Sequence, residues 1–122
     1  MRFVGICQYD GSNYSGFQSQ KNASSIQDHL ELAISSIGGL EERINYAGRT
    51  DAGVHATGQI FDFLPKDQRE ITQWLQGLNS PDDRSFSKVE CFKISSSIVF
   101  EGIIGFFLIL MLFFLLHLLL CL

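Results

Sequence analysis

Positive charge is scarce in this 122-residue chain: nine Lys and Arg stand against thirteen Asp and Glu, a formal net charge of -4. A free-standing RNA binder neutralises phosphates with a basic surface, so this chain lacks part of that footprint or takes it from elsewhere. Cysteine is scarce too. Cys7, Cys91 and Cys121 are odd in number, widely spaced and form no Cys-x-x-Cys, which argues against a disulfide framework and a zinc site and fits a reducing cytoplasm. His29, His55 and His117 share no ligand spacing with one another or with a cysteine, so no metal site is expected. The N-terminal residues Met1-Arg2-Phe3-Val4-Gly5-Ile6 run straight into polar Gln8 and Asp10, without the length or cleavage pattern of a signal peptide.

Composition divides the chain in two. Residues 1–97 are mixed in character and long enough to bury a modest core, whereas residues 98–122 form an apolar tail. From Ile103 to Leu122 there is no formal charge, enough apolar length to cross about 30 Å of hydrocarbon as a helix. That run reads as a membrane association through residues 103–122. The nearest basic residue, however, is Lys93, so the usual interfacial anchors are missing. Phe, Leu, Ile, Met and Val all use codons with a central U, and a U-rich stretch translated out of frame gives the same tract. The second reading is preferred.

Within residues 1–97 the periodicities fall in a definite order. Arg2 to Tyr9 is β-branched and aromatic and ends at the turn signal Asp10-Gly11-Ser12-Asn13, the pattern of a first strand. Ser24-x-x-Gln27 has capping-box spacing, and Ile26, Leu30, Ala33, Ile34 and Ile37 follow at helical intervals until Gly38-Gly39. Ile44–Ala47 and Thr57–Leu64 read as two short strands. Asp67 is placed to cap a second helix with Ile71, Trp74, Leu75 and Leu78 on one face, and Lys88–Ile94 is the last strand. The order β-α-β-β-α-β predicts an α/β (α+β) ferredoxin-like sandwich, with helices on one face of a largely antiparallel sheet.

Between the two middle strands lies Gly48-Arg49-Thr50-Asp51-Ala52-Gly53-Val54-His55-Ala56. Two glycines bracket an Arg and an Asp two residues apart, presenting a guanidinium and a carboxylate together on a tight loop. Taken alone, such an Asp is ordinarily a turn former whose side chain satisfies backbone amides, and such an Arg a surface ion pair worth little. His55, entering a strand, is more often a hydrogen-bonded structural residue than a general acid. Tyr9, Tyr14, Phe17 and Trp74 could stack on bases, although aromatics in strands and helices usually belong to the core.

The nine-residue run closely resembles the signature of the tRNA pseudouridine synthase A family. Tyr9 to Gln18 resembles the family's first motif, with Phe17 where Trp is commoner; Ser25-Ile26-Gln27 through Ala33-Ile34 resembles its first helix, and Gly58-Gln59-Ile60 continues the signature. The resemblance covers residues 1 to about 79. Beyond it, the family's Phe-His-Ala-Arg-Phe block and the tyrosine that stacks on the target base have no counterpart.

The resemblance implies an isomerase that makes pseudouridine at positions 38–40 in the anticodon stem-loop of tRNA, a cytoplasmic homodimer whose basic cleft spans subunits. It implies Asp51 as the catalytic carboxylate and Arg49, Thr50 and Gln18 as substrate-binding residues. Arg49 is expected to pair with Asp51 and keep it ionised. No cofactor and no metal is implied, because the isomerisation involves no redox change. The 122-residue chain by itself is expected to be inactive. A catalytically silent RNA-binding or membrane-tethered module is the alternative.

Overall fold

The computed structural model describes residues 1–80, 89–96, 108–112, 114–117 and 120. Strand β1 (Phe3–Tyr9) leads through a short 3₁₀ turn at Gly11–Asn13 to helix α1 (Ile26–Gly38). Strands β2 (Asn45–Tyr46) and β3 (Ala56–Phe63) follow, then helix α2 (Ile71–Leu78) and strand β4 (Val89–Ser96). The sheet order is β2-β3-β1-β4 with every neighbouring pair antiparallel. This is the expected β-α-β-β-α-β arrangement, in which β3 lies between β1 and β2, and β1 between β3 and β4.

Alternation along β1 sorts the sheet into faces. Phe3, Cys7 and Tyr9 are buried, while Ile6 and Gln8, from the other side of the pleat, are at least partly exposed. Across β1 and β3, Phe3 stands opposite Phe63 and Gly5 opposite Phe61. Helix α2 brings Trp74 edge-on to Phe63 at 5.1 Å between ring centres, and α1 supplies Ile26, Leu30 and Ile34. Each fully buried apolar side chain of this kind contributes about 2 kcal/mol. The aromatics Tyr9, Tyr14, Phe17 and Trp74 are all core residues. The Phe17 ring, one of the candidates for base stacking, is fully enclosed, with Tyr46 4.5 Å and Tyr9 6.0 Å away between ring centres.

Two helix caps fall elsewhere than the sequence suggests. The cap of α1 is Ser25, not Ser24: Ser25 Oγ accepts the Asp28 N–H at 3.1 Å and donates to the Asp28 carboxylate at 2.7 Å. Glu70 rather than Asp67 caps α2, with Gln73 Oε1 accepting the Glu70 N–H at 3.1 Å. The Asp67 N–H instead donates to the Gly38 carbonyl, so residue 67 is spent on the end of α1.

At the sheet edge, Asn79 closes α2 onto β4. Its Nδ2 donates to the Cys91 carbonyl at 2.6 Å and its Oδ1 accepts the Cys91 N–H at 2.8 Å. Cys91 and Cys7 are buried free thiols opposite each other on β4 and β1. The hydrogen bond the Cys91 thiol makes to Cys7, together with burial, pushes that thiol far above its ordinary value, so it stays protonated and inert.

Lys88, the expected start of the last strand, lies outside the described residues. The run 103–122 lies partly outside them; residues 108–112 and 114–117 are helical and exposed. Among the described residues no helix is long and apolar enough to cross a membrane.

Candidate active site

The signature run leaves β2 and returns as β3. Its entry is held from β3, where Gln59 Nε2 donates to the Gly48 carbonyl at 2.5 Å and the Ala47 N–H donates to the Ile60 carbonyl at 2.9 Å. At its tip the Val54 N–H donates to the Asp51 carbonyl at 3.1 Å, closing a turn over Ala52 and Gly53. Gly53 has φ +78°, the conformation a type II turn requires at its third position. Asp51 occupies the first position and serves the turn with its backbone carbonyl. Its side chain makes no hydrogen bond or ion pair among the described residues, so the bland reading of a side chain spent on backbone amides does not hold.

The carboxylate is exposed, as is Arg49. The expected ion pair between them is not formed. Arginine ion pairs among the described residues join Arg2 to Glu42 and Asp62, and Arg43 to Asp28 and Glu31. An exposed guanidinium loses little by staying in water, since a solvent-screened pair two residues apart gains under about 1 kcal/mol. Arg49 is thus left with its donors open beside the Asp51 turn.

The end of β1 and the loop after it pack against this run and are bonded to it at four points. The Phe17 N–H donates to the Thr50 carbonyl at 3.0 Å, and the Gly53 N–H donates to the Tyr14 carbonyl at 3.2 Å. The Tyr9 hydroxyl lies 2.7 Å from Thr50 Oγ1, and the Gly11 N–H donates to His55 Nδ1 at 3.0 Å. As an acceptor of that N–H, Nδ1 carries no proton, and His55 is the structural residue the sequence suggests. Asp10 Oδ1, 3.1 Å from the same nitrogen, is already engaged by the Ser12 N–H and hydroxyl.

Two glycines make this approach feasible. A β-carbon on Gly11 would sit 1.9 Å from the Val54 carbonyl oxygen, and one on Gly16, whose φ is +92°, would sit 2.8 Å from the Thr50 carbonyl oxygen. The loop is in turn held by the start of α1: the Ile26 and Gln27 N–H groups donate to the carbonyls of Gly16 and Phe17, and Gln27 Oε1 accepts the Ser19 N–H. Gln18 is exposed and follows directly on Phe17. Burial raises the Tyr9 phenol above its ordinary range, against a smaller lowering by the bond to Thr50, so the hydroxyl keeps its proton at neutral pH.

The structure thus brings Arg49, Thr50 and Asp51 together on one turn, with Gln18 one residue from a backbone bond to it. Sequence reasoning did not assign Tyr9 or Gly11 to the site. The signal was the presence of both within the Tyr9 to Gln18 motif, where two glycines seven or fewer residues from a strand end imply a close backbone approach. A separate concavity of about 590 Å³ lies along α1 and the 40–43 connection, lined by Asp28, Glu31, Glu41, Glu42 and Arg43. Its four carboxylates repel phosphate.

A ferredoxin-like sandwich carrying an exposed carboxylate on a backbone-held turn defines the class: an α+β domain with a candidate reacting group between two of its strands. A family model described as tRNA pseudouridine synthase matches residues 6–100. This chain belongs to that family. It is similar to proteins named tRNA pseudouridine synthase A from Aromatoleum aromaticum (48% identical over 80 residues, 66% of this chain and 30% of that protein) and Buchnera aphidicola (50% over 72 residues, 59% and 27%). The protein of that name from Pasteurella multocida is 46% identical over 86 residues, 69% of this chain and 33% of the relative. The chain spans about a third or less of the curated relatives it matches.

Proposed function

We propose that residues 1–97 form the N-terminal half-domain of a tRNA pseudouridine synthase that isomerises uridine at positions 38–40 of the anticodon stem-loop, with residues 98–122 as a separate apolar tail. The observation that carries this reading is the exposed Asp51 carboxylate, unspent on its own turn and fixed in direction by bonds on both sides.

The reaction breaks the N1–C1′ bond of uridine, turns the base and forms a C5–C1′ bond; the C5 proton passes to solvent and N1 takes up a proton in its place. Atoms and electrons balance without a redox partner. Asp51 acts as nucleophile, or as base toward a ribose or C5 proton. A stacked uridine must first leave its helix, and Arg49 contributes a charged planar fork for the displaced backbone phosphate. Thr50 and Gln18 flank the same entrance. The remaining two-thirds of the length seen in the relatives supplies the rest of the cleft and the positive charge this chain lacks, in a homodimer working in the cytoplasm.

The test is a completed enzyme in which residues 1–80 are joined to the remainder of the Pasteurella multocida relative. It should release the C5 hydrogen from uridine-labelled tRNA and place pseudouridine at positions 38–40. Modification confined to other positions, or none while the intact relative is active, contradicts the reading.

A further inference from the structure

We propose that Tyr9 is a positioning residue that aims the Asp51 carboxylate by holding Thr50, an assignment that rests on the reading of Asp51 as the reacting group.

Peptide groups are planar, so the direction in which the Cα–Cβ bond of Asp51 leaves the backbone follows from the two peptide planes that flank its α-carbon. Both planes are pinned. The preceding one is held by the Phe17 N–H on the Thr50 carbonyl at 3.0 Å, and the following one by the Val54 N–H on the Asp51 carbonyl at 3.1 Å. The Thr50 side chain would be the loose point of this arrangement, and it is tied by the Tyr9 hydroxyl at 2.7 Å.

The two ends of that bond differ in rigidity. Thr50 lies on an exposed turn, whereas Tyr9 ends a central strand, is 4% exposed and packs its ring against Phe17. Ring packing needs no hydroxyl, and a buried hydroxyl costs free energy unless it is partnered. The partner it has is the residue adjacent to Asp51. Tyr9 therefore transmits the rigidity of the sheet to the turn, the kind of support a reacting group on a loop requires.

The completed enzyme tests this with three variants. Tyr9→Phe and Thr50→Val should each lower kcat about tenfold with KM for tRNA within about twofold, since small misplacements act on turnover rather than on binding. The double variant should lose no more than either single one. A second arm uses the full 122-residue chain in detergent micelles. There Tyr9→Phe should speed amide hydrogen exchange at Phe17 and Val54 about tenfold and leave the β1 amides unchanged. An unchanged kcat in Tyr9→Phe, a rise in KM alone, or unaltered exchange at Phe17 and Val54 overturns the assignment. Should the unmodified completed enzyme form no pseudouridine, the functional reading falls, and the exchange arm alone decides whether Tyr9 holds the turn.

Discussion

Gly11 lies so close to Val54 that a β-carbon at residue 11 would fall 1.9 Å from the Val54 carbonyl oxygen. The loop after β1 and the turn carrying Asp51 are therefore one packed unit, and the glycines of the first motif are explained by the second.

Replacing Gly11 by Ala should separate the two loops. The obstacle is a carbonyl in the backbone rather than a flexible side chain, so the loop must move, at a cost of about 1–3 kcal/mol. Gly16→Ala adds a left-handed backbone to a 2.8 Å contact and should cost a similar amount. Urea unfolding checks both, and a midpoint shift too small to resolve would show that the loops are not packed as described.

Asn79→Ala should weaken the junction of α2 and β4. Both backbone groups of Cys91 lose their side-chain partner, an effect of about 2 kcal/mol at a partly buried position. The urea midpoint should fall with an unchanged slope. Asn79→Asp should be partly defective as well, because a carboxylate accepts the Cys91 N–H but cannot donate to its carbonyl.

Acid should loosen the start of α1 through Asp28. Burial pushes this carboxyl up, but hydrogen bonds from Ser19 and Ser25 and the charge and bonds of Arg43 outweigh it, leaving the folded value below the ordinary one. A depressed carboxyl stabilises the fold above the unfolded value of about 3.9 and loses that contribution as pH falls through the folded value. The melting temperature should thus drop between about pH 4 and pH 2 less steeply in Asp28→Asn than in the parent. Identical slopes would remove Asp28 from the account.

Arg49→Lys should impair turnover of the completed enzyme more than tRNA binding. On the proposed reading, and with no ion pair to Asp51, Arg49 works through the planar fork it offers to phosphate, which a lysine cannot reproduce. Equal kcat for parent and variant on structured tRNA would show that the fork is idle.

The elements themselves were legible because their signals are local. Alternation in Phe3–Tyr9 and Ala56–Phe63 and the helical spacing of Ile26, Leu30 and Ile34 follow from one buried face each. The caps were misread by one residue at Ser25 and by three at Glu70, because Ser, Asp and Glu compete for capping over a span shorter than the periodicity can resolve. The Asp51 turn was found from its glycines and its carboxylate. The hold of Tyr9 on Thr50 was not, since it joins residues 41 apart in sequence and depends on β1 and β3 being neighbours.

The most direct test of the central claim is pseudouridine formation by Asp51→Asn in the completed enzyme, a substitution that keeps shape and turn geometry while removing the charge. The account predicts turnover below about a hundredth of the parent, with tRNA binding nearly intact, as expected for loss of a lone acid, base or nucleophile. Turnover of Asp51→Asn close to the parent rate would contradict it, and would move the chemistry away from the turn between β2 and β3.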